Sequence, residues 1–228
     1  MLVFSLTFSH HIQNVTAKSQ QISGYILRTF KSRDPEIMLT LYKSLVQPHL
    51  DYCVQLWYPH KVQDMQKLES VQRSFTARIN NVSHLDYWER LSKLNLFSVQ
   101  RRYERYIIIY VWKVLENLIV APESENIVPS HSDRTGRMCK KFQLPQSNCT
   151  RFKTLQHNSL SWFGVRIFNV LPRYIRDFTG SPADSFKKLL DKFLHTIGDE
   201  PNIPGYKSML APISNSIIDQ LIYIKSTN

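Results

Sequence analysis

The chain has 228 residues, of which 43% are hydrophobic, 12% aromatic and 21% charged, and its formal net charge at pH 7 is +11. This composition excludes a wholly disordered chain, and three cysteines without a CxxC pair argue against a disulfide scaffold. No stretch reaches the roughly 18 apolar residues of a transmembrane helix, and the first residues lack the basic region and cleavage site of a signal peptide. We therefore expect a soluble intracellular protein, nuclear or cytoplasmic rather than secreted, with no membrane partner.

The amino-terminal part of the chain carries two stretches with helical spacing. Apolar residues recur at helical intervals over 10–30, which predicts a first helix. Asp34 followed by Pro35 is typical of a helix start, because Asp caps free N–H groups and Pro has no N–H that needs a partner. We expect this second helix to end at Pro48. We interpret Cys53, in the aromatic-rich segment that follows, as a small core residue.

Three further amphipathic helices are predicted. Apolar spacing indicates the third over 62–79 and a short fourth over 85–94. Ser98 can cap the amino end of a long fifth helix that continues to Leu118. The third and fifth helices carry six basic residues that are candidates for phosphate contacts: Lys67, Arg73, Arg78, Arg101, Arg102 and Arg105.

The segment after the fifth helix is polar and interrupted by prolines. Alternating residues in MCKKFQLP (138–145) and TRFKTLQ (150–156) allow a short β-pair there. Helical spacing returns around 164–171, Ser181 to Asp184 resembles an acidic capping box, and a last short helix is expected at 216–224. The sequence thus predicts a mainly α fold with three parts: a helical bundle at 1–120, a basic polar connection with a small β element at 121–157, and carboxyl-terminal helices at 158–228.

Much of the positive charge lies between residues 131 and 176. Asp133 is the single acidic residue in this stretch, and aromatic side chains lie between the basic ones. The stretch could neutralise phosphates and stack on bases, or it could be a solvated face whose aromatic residues belong to the core. Composition favours neither interpretation. The basic cluster that we take as a second candidate patch contains Arg134, Arg137, Lys140, Lys141, Arg151 and Lys153.

Motifs of common enzyme chemistry are absent from the sequence. It contains no GxSxG, P-loop, GxGxxG or HExxH pattern, and we interpret the adjacent acidic pair at 199–200 as a solvated turn rather than part of a two-metal centre. Structural zinc ligands usually come in pairs two to four residues apart, whereas the gaps between His131, Cys139, Cys149 and His157 are much wider. We expect no metal, no cofactor and no small-molecule substrate.

Five stretches resemble one protein family. RTFKSRDPEIMLTLYKSLVQPHLDYCVQLWYPH (28–60), DMQKLESVQRSFTARI (64–79) and LDYWERLSKLNLFSVQRRYERYIIIYVWKVLE (85–116) resemble the region downstream of the polymerase core in reverse transcriptases of jockey-like non-LTR (LINE-type) retrotransposons. SWFGVRIFNVLPRYIRDFTG (161–180) and SFKKLLDKFL (185–194) resemble the carboxyl-terminal end of the same reading frames. The resemblance covers nearly the whole chain in collinear order.

The resemblance implies the thumb and post-polymerase region of an RNA-directed DNA polymerase, without its palm or endonuclease. In that family the catalytic aspartates lie in the palm, so no catalytic residue carries over to this chain, and Mg²⁺ would belong to the missing palm. The thumb is a helical bundle that contacts the template–primer backbone, and Arg and Lys on its helices can bind phosphates without reading sequence. The implied partners are RNA or an RNA–DNA duplex, together with the palm if it is encoded upstream.

Two alternatives stay open beside nucleic-acid binding. The chain could be a remnant without function, or its helical bundle could have been taken over by a host for protein interactions. A remnant should expose an apolar patch where the palm would dock. We interpret Trp57, Trp88 and Trp112 as core anchors rather than stacking platforms, because large aromatic side chains are mostly buried.

Overall fold

The computed structural model describes residues 8–119, 129–130, 141–142, 160–200 and 215–221. Helices dominate these ranges, so the prediction of a mainly α fold is confirmed. The chain divides into two compact units: Met1–Tyr103 with Asp199–Asn215, and Glu104–Gly198 with Ser216–Asn228. The predicted parts 1–120, 121–157 and 158–228 stay a prediction.

The first unit is built from helices of very different length. They are α1 (Ser9–Thr29), α2 (Pro35–Leu41), a π-helical turn (Tyr42–Val46), α3 (Gln47–Asp51), α4 (Val54–Trp57), α5 (Val62–Thr76), α6 (Tyr87–Lys93) and the first residues of α7 (Val99–Leu115). The start of α7 is confirmed, because the Ser98 hydroxyl oxygen accepts a hydrogen bond from the Arg101 backbone N–H at 3.1 Å.

Helix α2, the π-helical turn and α3 follow one another without a break. Their start is confirmed, since the Asp34 carboxylate accepts a hydrogen bond from the backbone N–H of Glu36 at 3.0 Å. The predicted end at Pro48 is wrong. The Gln47 N–H bonds to the Tyr42 carbonyl across the π-helical turn. This wider turn already interrupts the α-helical hydrogen-bond register directly before the proline, so the helix continues past it.

Cys53 lies on the surface, and its interpretation as a core residue is wrong. It is exposed and has a φ of 52°, in the left-handed region. The residues beside it in α4 turn inward instead, with Val54 and Trp57 at 0% and 4% exposure. Trp112 is fully buried as well, so the interpretation of Trp57 and Trp112 as core anchors is confirmed. Trp88 is half-buried.

The core of the first unit combines apolar packing with a buried polar network. The rings of Tyr42 and Phe75 pack with their centroids 5.2 Å apart. The Tyr42 hydroxyl donates to the Gln72 side-chain oxygen at 2.8 Å, and the Gln72 amide donates to the Tyr87 hydroxyl at 3.2 Å. Burial raises the pKa of both tyrosines above the ordinary value. Both hydroxyls are therefore neutral hydrogen-bonding groups inside the core.

The second unit is built around a tryptophan of α7. Trp112 stacks on Phe186 with centroids 4.4 Å apart and an interplanar angle of 6°, and its Nε1–H donates to the Phe178 carbonyl at 2.7 Å. Gly164 permits a close helix contact, because a Cβ atom there would lie 3.0 Å from Cγ2 of Val111. The remaining elements of this unit are β1 (Pro129–Ser130) paired antiparallel with β2 (Lys141–Phe142), α8 (Leu160–Val170), α9 (Arg173–Arg176), α10 (Ala183–Leu194) and α11 (217–221).

The predicted capping box at the start of α10 is wrong. Pro182 occupies the cap position, and no side chain caps the helix. The helix begins one residue later than the box requires, so Ser181 lies outside the cap. The Asp184 carboxylate instead accepts a hydrogen bond from Lys187 Nζ at 2.8 Å, which draws it along the helix surface rather than back to the helix start.

Candidate nucleic-acid interface

Helices α1 and α5 lie side by side in the first unit and run in the same direction. At their amino ends the Ser9 hydroxyl donates to the Asp64 carboxylate at 2.7 Å. Beyond their carboxyl ends the Asn80 backbone N–H donates to the Arg33 carbonyl at 2.9 Å. Two hydrogen bonds at opposite ends therefore fix this parallel pair, which makes it a rigid support for the side chains that it exposes.

The exposed surface of α1 contains no negative charge. No aspartate or glutamate occurs between positions 8 and 33. The side of α1 that faces the core is apolar or hydroxyl-bearing, with Ile12, Ser19 and Ile26 almost completely buried. The polar side chains exposed between positions 8 and 32 are neutral or basic, and they include Gln13, Asn14, Lys18, Gln20, Gln21, Arg28 and Lys31.

Helix α5 has two acidic residues, and both are buried. Asp64 is 4% exposed and accepts hydrogen bonds from Ser9 and Lys67. Glu69 is 8% exposed; it accepts a hydrogen bond from the Val99 backbone N–H at 3.0 Å and another from the Tyr87 hydroxyl. With its acids turned inward, α5 exposes neutral and basic groups. We call the following set the basic surface: Lys18, Arg28, Lys31, Lys67, Arg73 and Arg78.

The three predicted residues of the third helix differ in how free their charges are. Lys67 Nζ lies 3.2 Å from the Asp64 carboxylate, yet 44% of the Lys67 side chain is exposed. Arg73 is half-buried and lies over the Tyr87 ring, with its guanidinium carbon 4.4 Å from the ring centroid. Arg78 is exposed and has no ion pair in the part of the chain that the structure describes. Arg78 is therefore the clearest phosphate-binding candidate of the three.

Arg101 and Arg102 of α7 do not reach the surface. Arg101 is 0% exposed, with its Nε 3.7 Å from the Asp199 carboxylate. Arg102 is 6% exposed, and its Nε lies 2.9 Å from the Asp51 carboxylate. A buried guanidinium needs such a partner, because an unpaired charge inside a protein is very costly. Burial removes both arginines from the candidate interface, although their helix positions resemble those of surface residues.

Arg105 is also engaged within the protein. Its guanidinium binds the Asp191 carboxylate of α10 with two nitrogens, one of them at 2.8 Å. This hydrogen-bonded pair raises the pKa of Arg105. The side chain is 18% exposed, so its charge mainly stabilises the packing of α7 against α10. A phosphate contact by Arg105 would have to compete with the Asp191 carboxylate.

The second candidate patch falls largely beyond the described ranges. Lys141 lies in β2, whereas the other five members, Arg134, Arg137, Lys140, Arg151 and Lys153, lie outside the described residues. The patch therefore stays a prediction. The histidines and cysteines considered for zinc also lie outside. Within the ranges that the structure describes, no group of three or more His, Cys, Asp or Glu side chains is placed to hold a metal ion.

Asp199 has a role that the sequence interpretation missed. It was expected in a solvated turn, but its carboxylate accepts hydrogen bonds from the Ser98 backbone N–H at 2.6 Å and from the Ser98 hydroxyl at 2.8 Å. Asp199 and Glu69 thus both place carboxylates at the positive amino end of α7. No local pattern predicts this, since Ser98 and Asp199 are far apart in sequence. The basic character of α1, by contrast, can be seen in the sequence as its lack of acids.

Comparison with known proteins gives one partial match. The chain is 28% identical over 100 residues to an uncharacterized protein of Caenorhabditis elegans, and the match covers 42% of this chain and 50% of that protein. The match thus spans about half the length of this curated relative. No protein-family model matches the chain, and no solved structure matches it. Among the helices in the described ranges, none is long and apolar enough to cross a membrane.

Proposed function

We propose that this chain is the thumb and post-polymerase region of a jockey-like non-LTR retrotransposon reverse transcriptase and that it binds template–primer nucleic acid without sequence preference. In this proposal a thumb-like helical bundle is followed by the basic connection with its small β element and by carboxyl-terminal helices. The observation that carries the proposal is the basic surface. The exposed sides of α1 and α5 present lysine and arginine, while both acids of α5 are buried.

The physical basis is phosphate neutralisation. A duplex backbone carries closely spaced negative charges with a condensed layer of counterions, and cationic side chains that replace these ions gain free energy whatever the base sequence. An exposed carboxylate on the same helix face would oppose this attraction. Asp64 and Glu69 instead accept hydrogen bonds from protein groups. Their burial leaves the basic surface without an opposing charge from α5, which supports binding of a polyanion there.

The proposal includes no autonomous catalysis. Nucleotidyl transfer needs carboxylates that are free to hold divalent ions. Several carboxylates of the described ranges are instead bound to protein groups, as Asp51 is to Arg102, Asp191 to Arg105 and Asp199 to Ser98. In this proposal the Mg²⁺-binding aspartates of the polymerase belong to a palm domain, as the resemblance to the retrotransposon reverse transcriptases implies.

A protein partner is the second candidate function, and exposed apolar side chains favour it. Ile37 and Leu45 in the stretch from α2 to α3 are 46% and 45% exposed, and Tyr52 and Leu56 just after it are 76% and 69% exposed. Large apolar side chains exposed to solvent are a feature of many protein interfaces. A palm domain or a host protein could cover these side chains. This candidate predicts specific binding to a protein rather than salt-dependent binding to nucleic acid.

Fluorescence anisotropy of a labelled RNA–DNA hybrid, titrated with the full chain across a range of salt concentrations, tests the proposal. The affinity should fall steeply with salt, with a log–log slope near 0.9 for each neutralised phosphate. Hybrids of unrelated sequence should bind equally well. Binding that is absent or independent of salt in the folded protein contradicts the proposal. A primer-extension assay with Mg²⁺ should give no product, and extension by the purified chain would contradict the non-catalytic assignment.

A further inference from the structure

A polar cleft of about 410 Å³ opens at the carboxyl ends of α1 and α5, within the first unit. One wall is the turn Lys31–Pro35, and the other is formed by Asn80, Asn81 and Ser83. The hydrogen bond from the Asn80 N–H to the Arg33 carbonyl ties the two walls together. Asn81 has a φ of 65°, in the left-handed region that asparagine tolerates. The cleft is thus a defined feature between two turns that are pinned to each other.

Several hydrogen-bonding groups of the cleft have no partner among the residues that the structure describes. The side chains of Lys31, Asn80, Asn81 and Ser83 make no hydrogen bond or ion pair within the part of the chain that the structure describes. The Ser32 hydroxyl oxygen accepts from the Asp34 N–H at 3.3 Å, which leaves its hydrogen free to donate. Amide, hydroxyl and ammonium donors therefore all face one space that is large enough for a ligand.

The other two charged side chains that line the cleft, Arg33 and Asp34, hydrogen-bond to backbone groups and keep their charges. The Arg33 guanidinium donates to the Phe30 and Leu27 carbonyls at the carboxyl end of α1. The Asp34 carboxylate accepts N–H groups in the first turn of α2. Lys93 adds a second cation at the rim, since its Nζ donates to the Asn81 carbonyl at 3.3 Å. Lys31 is therefore the charged residue of the cleft lining whose side chain makes no hydrogen bond or ion pair with the described residues.

We propose that this cleft binds one phosphodiester unit of a nucleic-acid backbone, with the phosphate on Lys31 and the adjoining sugar against Asn80, Asn81 and Ser83. The inference rests on the proposed function and assigns to it a particular site. The described residues that line the cleft include no aromatic ring, so they offer no platform on which a base would stack. Its donors suit phosphate oxygens, and its asparagine and serine side chains can also hydrogen-bond sugar hydroxyls. The site therefore binds the sugar–phosphate backbone of the nucleic acid and does not distinguish its base sequence.

Two variants in the cleft should change hybrid affinity in opposite directions. Lys31→Gln removes the free cation and should weaken binding, with a loss of about 0.9 in the log–log salt slope if one phosphate contact is lost. Asp34→Asn keeps the helix cap, since Asn and Asp cap almost equally well, and removes the one negative charge of the cleft. It should tighten binding roughly threefold by relieving repulsion of the phosphate.

Each variant has a control with the same charge change outside the cleft. Lys43→Gln on the π-helical turn is the control for K31Q, and Glu36→Gln in the first turn of α2 is the control for D34N; both residues are exposed. The cleft variants should shift the affinity more than their controls. Equal shifts within each pair would mean that net charge alone acts, and they would overturn the inference while leaving nucleic-acid binding intact.

A titration with inorganic phosphate, monitored by NMR of the backbone amides, distinguishes a site for free phosphate from a site for the phosphates of a nucleic-acid backbone. Shifts at Asn80, Asn81 and Ser83 in the wild type but not in K31Q support the cleft as a phosphate site. Such shifts without any hybrid binding would overturn both the backbone assignment and the proposed function, leaving a site for free phosphate. The absence of shifts, together with wild-type hybrid binding by K31Q, overturns the cleft alone.

Discussion

The Glu69 carboxylate of α5 lies 3.0 Å from the backbone nitrogen of Val99 and caps the amino end of α7. The Tyr87 hydroxyl donates to the same carboxylate. A negative charge at this helix end is stabilised by the helix dipole and by the free N–H groups there. The same arrangement keeps the Glu69 carboxylate away from the surface that we propose for nucleic acid. One contact thus links the packing of the bundle to the charge of its outer face.

The pH dependence of stability should report on Glu69. Burial raises its pKa above the ordinary value, despite the hydrogen bonds from Tyr87 and Val99. Between the unfolded and the raised native pKa, the native state therefore holds a proton that the unfolded chain has lost, so the free energy of unfolding should fall as the pH rises through this interval, above which Glu69 is ionised in both states. Each unit of pKa difference corresponds to about 1.4 kcal/mol. Glu69→Gln should remove this part of the pH dependence.

Urea denaturation at a series of pH values measures the effect of Glu69→Gln. Glu36→Gln, the same change at an exposed position, is the control for the loss of a carboxyl group. An equal flattening of the pH dependence in both variants would contradict the assignment to Glu69.

Two arginine variants should separate stability from nucleic-acid binding. Arg102→Gln removes a buried guanidinium and leaves the half-buried Asp51 carboxylate without its ion pair, and the free energy of unfolding should fall by about 3 kcal/mol. Arg78→Gln changes an exposed side chain, so stability should change by less than about 0.5 kcal/mol. The hybrid-binding salt slope should fall by about 0.9 in R78Q and stay unchanged in R102Q under folding conditions.

Urea denaturation and the anisotropy titration together test this pair of variants. The opposite pattern, with R78Q unstable and R102Q deficient in binding, would show that the exposure of these two residues does not determine their roles.

Ser19→Ala should stabilise the protein. Ser19 is 0% exposed, and its hydroxyl makes no hydrogen bond to the residues that the structure describes. Removing a buried unsatisfied hydroxyl avoids its desolvation cost, and alanine also has the higher helix propensity. The free energy of unfolding should rise by about 1 kcal/mol. Chemical denaturation measures it, with Ser74→Ala at an exposed α5 position as the control for propensity; an equal gain in both would leave the desolvation argument without support.

Gly164→Val should destabilise the second unit. A Cβ atom at this position would lie 3.0 Å from Val111 Cγ2 and 3.3 Å from Ile107 Cγ2, and overpacking of this kind costs about 1–3 kcal/mol. Gly198→Val is the control, since a Cβ atom there meets no described residue within 4 Å. Thermal unfolding followed by circular dichroism should show a lower Tm for G164V only. Equal Tm values would mean that α8 can move away from α7 without cost.

The sequence by itself determined the local features of this protein. The apolar spacing over 10–30 predicted α1, and Asp34 and Ser98 predicted the starts of α2 and α7, because periodicity and caps act within a few residues of the same segment. The rule that a proline ends a helix failed where the backbone adopts a different helical geometry. Pro48 did not end its helix, since the preceding π-helical turn accommodates it.

Only the tertiary structure decided which charges reach the surface. Arg78 and Arg102 are both basic residues on amphipathic helices, but Arg102 lies beside Asp51, which comes from a distant part of the sequence. The Asp199 carboxylate likewise accepts a hydrogen bond from the Ser98 backbone N–H at the start of α7, although the two residues are far apart in the sequence. Helical spacing gives the side of a helix on which a residue lies, whereas the partner that can stabilise a buried charge is brought near only when the chain folds. The basic surface therefore follows from the burial of the acids as much as from the number of basic residues.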